Sequence, residues 1–221
     1  MPAWPGACDI VPPVVDHRPT SHYWQWSMAE VPSTRILPLG SPAPEFSLPE
    51  PGGELVTLED ARGPKGLIVA FLCNHCPFVL HLAKHLGEFA AICEAKGIGF
   101  VGINSNDVSR YPADSPEKML AMVGTYGWEF PYLYDESQSV ARDYRAACTP
   151  DFYLFDHELR LTYCGQFDDS RPKNGKPVTG DSLRAAVQAV LDGAQPLAEQ
   201  RPSTGCNVKW KPGNEPTWYA N

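Results

Sequence analysis

Leu67-Ile68-Val69-Ala70-Phe71-Leu72-Cys73-Asn74-His75-Cys76-Pro77-Phe78 is the stretch on which the reading of this chain turns. Its first six residues form a continuous apolar run, which fits a strand covered on both faces in the middle of an α/β sheet. Pro77 suits a first helical turn, where a missing N–H costs little. Phe78, Leu82, Leu86, Phe89 and Ile92 or Cys93 then recur at helical spacing up to Gly97. Two cysteines separated by two residues thus stand where a buried strand runs into an amphipathic helix.

That placement has a chemical consequence, because free N–H groups and the positive end of a helix dipole stabilise a thiolate. Cys73 leaves the strand at its carboxyl end, where open α/β sheets hold their ligands, and is expected to be the nucleophile. Cys76, one turn on, is expected to resolve the mixed disulfide formed on Cys73. A cationic His75 between them would lower the thiol pKa further. The pair could instead be half of a zinc site completed by His81 and His85. Both histidines, however, lie downstream on the same helix, and the five residues from Cys76 to His81 turn the side chains about 140° apart.

Working outward, residues 98–103 read as a strand, 114–125 as a helix opened by Ser115-Pro116-Glu117, 130–133 as a short strand and 137–145 as a further helix. Residues 152–155 and 159–164, divided by Asp156-His157-Glu158, read as antiparallel strands, and Asp181 is expected to cap a last helix to about residue 191. Upstream, Pro51-Gly52-Gly53 before residues 54–58 signals a hairpin. Strands separated by helices, then a hairpin and a closing helix, give an α/β fold with a mixed central sheet flanked by helices.

Twelve of the 23 prolines fall within the first 64 residues, so residues 1–41 read as a proline-rich arm before a domain at 42–195. Residues 1–27, upstream of Met28, read as an extension, either docked on the domain through Trp4, Trp24 and Trp26 or disordered. Residues 196–221 form an irregular tail, expected to pack through Cys206, Trp210, Trp218 and Tyr219. A net charge of -8 gives no electrostatic motive for phosphate backbones or anionic lipid. The longest apolar run, residues 67–73, falls far short of the roughly 20 residues of a membrane span. Neither nucleic acid nor membrane is an expected partner. No signal peptide is legible, and seven cysteines, an odd number, do not suggest a secreted disulfide framework. A cytoplasmic protein with a local redox pair is expected, and no residue pattern calls for a cofactor or a resident metal.

Cys148-Thr149-Pro150, directly before the strand at 152–155, is the second motif. Together the two motifs resemble the thioredoxin superfamily, whose folds place a Thr-Pro or similar pair with a cis bond before a strand, facing the cysteines. The stretch from Pro42-Ala43-Pro44-Glu45-Phe46 to residue 191, with the tail Gly205-Cys206-Asn207-Val208-Lys209-Trp210-Lys211, is similar to the alkyl hydroperoxide reductase / thiol-specific antioxidant branch, the peroxiredoxin-like proteins. The resemblance implies a thioredoxin-like fold and a thiol–disulfide oxidoreductase. In it Cys73 attacks, Cys76 resolves, His75 tunes, and Thr149 and Pro150 align the substrate backbone. It also implies a disulfide or hydroperoxide substrate and a thiol reductant or oxidant partner protein.

Departures from the family patterns keep other functions open. Peroxidatic sites are similar to Pro-x-x-x-Thr-x-x-Cys with an arginine nearby. Setting Cys76 as the peroxidatic residue puts Cys73 at the Thr position and Val69 at the Pro position; setting Cys73 puts Ala70 and Gly66 there. Neither register fits. Ordinary thioredoxins have Trp before the first cysteine and a buried Asp on the preceding strand, whereas Leu72 stands in the first place and residues 67–72 contain no acid. The rivals are a thiol peroxidase and a redox-sensing or metal-handling protein using Cys73, Cys76 and Cys148. Cys148 and Cys206 are candidate additional redox thiols; Cys93 and Cys164 fit core positions.

Overall fold

The computed structural model describes residues 30–219. Cys8, the three N-terminal tryptophans and the extension at 1–27 lie outside the described residues. The elements run in chain order from β1 (Glu30–Pro32) through β2 (Ser47–Pro49) and β3 (Leu55–Thr57) to α1 (Leu58–Ala61). β2 and β3 form the hairpin around Pro51-Gly52-Gly53, and Thr57 closes a capping box with Asp60. β4 (Gly66–Phe71) is buried at every residue and leads into α2 (Pro77–Ala95). β5 (Ile98–Asn104), a 3-10 turn at Pro112–Asp114, α3 (Pro116–Tyr126), β6 (Tyr132–Tyr134) and α4 (Ser139–Asp143) follow. β7 (Cys148–Thr149), β8 (Asp151–Asp156), β9 (Leu161–Gly165), α5 (Asp181–Leu191) and β10 (Thr204–Asn207) complete the chain, before a last 3-10 turn at Thr217–Tyr219.

Two helix starts differ from expectation. Ser115 caps α3 by accepting from Lys118 N, and Pro116 sets its first turn, so Asp114 stays outside the helix in the 3-10 turn, fully buried. Gly180, at φ 72°, is the N-cap of α5, and Asp181 is its first helical residue.

β4 pairs antiparallel with β8, from Gly66 opposite Asp156 to Phe71 opposite Asp151, and β8 pairs antiparallel with β9. On its other side β4 lies parallel to β5: Lys65 N donates to Gly97 O at 2.8 Å and Leu72 N to Ile103 O at 2.9 Å. β5 pairs in parallel with β6. The result is a mixed sheet, β6-β5-β4-β8-β9, whose alternating residues build two cores. Ile68, Ala70 and Leu72 meet Val79, Leu82, Leu86 and Phe89 of α2 and Leu183 and Val187 of α5. Leu67, Val69 and Phe71 face Val140 and Tyr144 near α4, with Leu58 and Trp210. Each large apolar side chain so buried contributes about 1.5–3 kcal/mol.

A second, smaller sheet joins distant parts of the chain in the order β1-β10-β7. Glu30 pairs with Cys206 and Pro32 with Thr204, and Cys206 pairs in turn with Thr149. The approach is so close at Gly205 that a Cβ there would stand 2.0 Å from Thr149 O, which only glycine avoids. Beyond β10, Val208 and Trp210 are buried, and Trp210, Trp218 and Tyr219 pack edge to face.

Candidate active site

β4 ends at Phe71, and the chain turns through Leu72 and Cys73 before α2 begins at Pro77. The cysteine pair therefore straddles the turn, with Cys76 as the N-cap of α2 and Cys73 outside the helix. Both are free thiols, and both are buried. The Thr149–Pro150 peptide, which is cis, brings β7 against them. Thr149 touches both members of the pair: its Oγ1 is 3.2 Å from Cys73 Sγ, and its carbonyl accepts from the Cys76 thiol at 3.1 Å.

Asp114 organises the turn. Its Oδ1 accepts from Asn74 N at 2.8 Å and His75 N at 3.3 Å, and its Oδ2 accepts from Asn106 Nδ2 at 2.8 Å. Asn74 is held further by Tyr132 OH at 3.1 Å and by its own donation to Ala113 O at 3.0 Å. His75 keeps a ring nitrogen within 4.8 Å of the Cys73 sulfur. Its Nδ1 is 2.7 Å from Asp114 Oδ2 but off line for a hydrogen bond, and its ring stacks on Tyr111 at 5.7 Å.

The charge distribution sets the two thiols apart. Burial pushes the Cys73 thiol well up, and contact with Cys76 and the Asp114 carboxylate push it further; only the Thr149 hydroxyl pulls the other way. The amides of Asn74 and His75, which follow Cys73 in the turn, both donate to Asp114. Burial also opposes a charge on Cys76, but the thiols of Cys206 and Cys73 and the amides of Val79 and Cys206 outweigh it. The Cys76 thiol is accordingly lowered, without closing a formal side-chain cap.

The tail supplies two groups to this site. Cys206, opposite Thr149 on β10, is buried in one cluster with Cys73 and Cys76. Lys209 is buried, its Nζ bonded to Asn207 Oδ1 and 5.6 Å from the Tyr111 ring centre, while its backbone is fixed by Asn106 Oδ1 and Gln138 Nε2. Burial lowers the Lys209 pKa against the opposing pull of Cys206, Cys73, Cys76 and Asp114. Cys148 points to the other side of β7 from Thr149, as strand alternation requires, and its thiol donates to Pro150 O at 3.6 Å. Burial and the Asp151 charge push its pKa well up. His85 pairs with Glu88 at the surface, 3.8 Å away, and neither it nor His81 reaches the cysteines as a ligand.

Asp114, Tyr111, Asn106 and Lys209 are the site residues that sequence reasoning missed. Among the described residues, donor atoms of Cys73, His75 and Asp114 lie within 4.8 Å of one another, a set that could hold a metal ion. Both Asp114 oxygens, however, already accept hydrogen bonds from the turn.

A mixed sheet between helices, with a Cys-x-x-Cys turn at the head of α2 facing a cis Thr-Pro, defines a thioredoxin-fold thiol redox protein. The chain is similar to a crystal structure of an uncharacterized conserved protein from Geobacillus kaustophilus, 51% identical, with a TM-score of 0.81 over 84% of this chain and 98% of that one. The thioredoxin-like protein YneN of Bacillus subtilis is 27% identical over 144 residues, 62% of this chain and 77% of that protein. A secreted disulfide oxidoreductase of Mycobacterium tuberculosis, homologous to E. coli DsbE, shares the fold at 21% identity, with a TM-score of 0.51 over 65% of this chain and 95% of that one. Residues 39–164 match the AhpC/TSA family, and the chain belongs to it.

Proposed function

We propose that this protein is a thiol–disulfide oxidoreductase whose Cys73 and Cys76 cycle between dithiol and disulfide. The observation that carries the proposal is the contact of Thr149 with both sulfurs, which holds the pair in one place beside the cis proline. Cys76 is the more acidic of the pair, and on losing the proton it gives to the Thr149 carbonyl it becomes the base for Cys73. Cys73 attacks a substrate disulfide as its proton passes to Cys76, forming a mixed disulfide and releasing one substrate thiolate. Cys76 then gives that proton to the released thiolate and attacks Cys73 Sγ. The second substrate thiolate leaves, and the Cys73–Cys76 disulfide closes. Two electrons pass from the pair to the substrate, and a thiol partner protein in a reducing, cytoplasmic compartment restores the dithiol.

Family membership favours a second reading, reduction of hydroperoxides by the same cysteines. Against it, a lysine, Lys209, acts on the three thiols, and neither cysteine fits the peroxidatic pattern. Equilibration in glutathione redox buffers, followed by thiol trapping, tests the proposal. In a Cys206→Ser background a two-electron transition should appear, and it should vanish when Cys73→Ser or Cys76→Ser is added. Absence of a Cys73–Cys76 disulfide in Cys206→Ser under oxidising buffer would overturn it.

A further inference from the structure

We propose that Cys206 is a third redox thiol of this site, taking over the disulfide by internal exchange so that Cys76–Cys206 replaces Cys73–Cys76; the inference rests on the oxidoreductase reading above. β10 pairs with β7 so that Cys206 stands opposite Thr149, the residue whose hydroxyl and carbonyl touch the two cysteines of the pair. Cys206 is buried in the same core cluster as Cys73 and Cys76, and its register opposite Thr149 places it beside the pair. The glycine before it permits this approach, since any side chain at 205 would collide with the Thr149 carbonyl. The β7 edge, where an extended disulfide substrate was expected to align on Thr149 and Pro150, is therefore already occupied. Its occupant is the protein's own strand, carrying a cysteine.

The exchange follows closure of Cys73–Cys76. Cys206, as thiolate, attacks Cys76 Sγ; the Cys76–Cys206 bond forms and the Cys73–Cys76 bond breaks. The electron pair leaves on Cys73, which takes the proton that Cys206 gave up. No electrons enter or leave, because the oxidising equivalent is the one acquired when the first disulfide formed. The environment changes in favour of this step once Cys76 is oxidised. The hydrogen bond with Cys76 is the largest influence raising the Cys206 pKa, ahead of burial, and a disulfide removes it, while Lys209 continues to pull the thiol down. The product ties β10 to the start of α2 and leaves Cys73 as a thiol.

The test uses the full chain carrying Cys73→Ser, with and without Cys206→Ser, each treated with oxidised glutathione and digested without reduction for mass spectrometry. Cys73→Ser should yield a peptide pair linked through Cys76 and Cys206, and its Cys76–glutathione adduct should fall at least about tenfold below that of the double variant, as an intramolecular thiol outcompetes a diffusing one. Equal adduct on Cys76 in both variants overturns the inference. If the native protein meanwhile forms Cys73–Cys76, the oxidoreductase reading survives that failure; if it forms no disulfide at either cysteine, both fall.

Discussion

Replacing Asp114 by Asn removes one negative charge beneath the cysteine turn while barely changing its shape. Asp114 Oδ1 accepts two backbone amides and Oδ2 accepts Asn106 Nδ2. An amide side chain has one acceptor oxygen, so at least one of these buried donors loses its partner, at a cost of about 1–3 kcal/mol. The charge acts in the opposite direction on Cys73, whose thiol it holds up. Donor atoms of the two residues lie within 4.8 Å. At that separation two unit charges repel by roughly 3.5 kcal/mol at an effective dielectric of about 20, and by roughly 0.9 kcal/mol in bulk water. Removing the carboxylate should therefore lower the Cys73 pKa and let it label at lower pH. Iodoacetamide labelling of the reduced protein across pH, read by peptide mapping, follows Cys73 directly, and urea unfolding measures the accompanying loss of stability. A folded Asp114→Asn variant whose Cys73 titrates unchanged or higher would refute the electrostatic account.

At neutral pH the thiolate absorbance of the reduced protein should persist in Cys73→Ser and disappear in Cys76→Ser; the reverse would return the charge to Cys73. Asp151, fully buried on β8, is pushed up to about 7 by burial, against hydrogen bonds from Ser33 and Tyr153. Its folded pKa exceeds the unfolded value, so the stability it confers is complete below about pH 4 and is lost as pH rises through 7, at up to about 1.4 kcal/mol per pH unit. Urea unfolding of Asp151→Asn should show a flatter decline over that interval, and parallel curves for variant and native protein would contradict the assignment. Hydrogen peroxide should oxidise the reduced protein slowly in stopped-flow mixing, each 1.4 kcal/mol of missing peroxide stabilisation costing about tenfold; rapid, saturable oxidation would favour the peroxidase reading.

The motifs at residues 73–76 and 149–150 were legible because each is local. An apolar run, a helix-opening proline and a Thr-Pro before a strand need no tertiary knowledge. The mixed sheet was legible for the same reason, through residues 67–72 and the hairpin around Asp156. Asp114 was hidden because it resembles any acid at a helix start; only Ser115 acting as the cap frees it to fold beneath the cysteines. The ordering of the two thiols depended on where α2 begins and on which acceptor takes the Asn74 and His75 amides, and residue spacing carries neither fact. Lys209 and the pairing of β10 with β1 and β7 were equally unreadable, since strands of two to four residues show no periodicity and their partners lie far away in the chain.

The late position of β10 also gives the protein a chemical history during its own synthesis. At about 5–20 residues per second, a ribosome delivers Cys73 and Cys76 roughly 7–25 s before Cys206 follows. Pairings between residues so distant in sequence form after local ones, because the intervening loop must first be closed. Throughout that interval the nascent pair has neither the Cys206 thiol nor the Lys209 ammonium beside it. The half-made chain and the finished one are thus different reagents. Completion of the last strand is when the dithiol acquires the chemistry described for it.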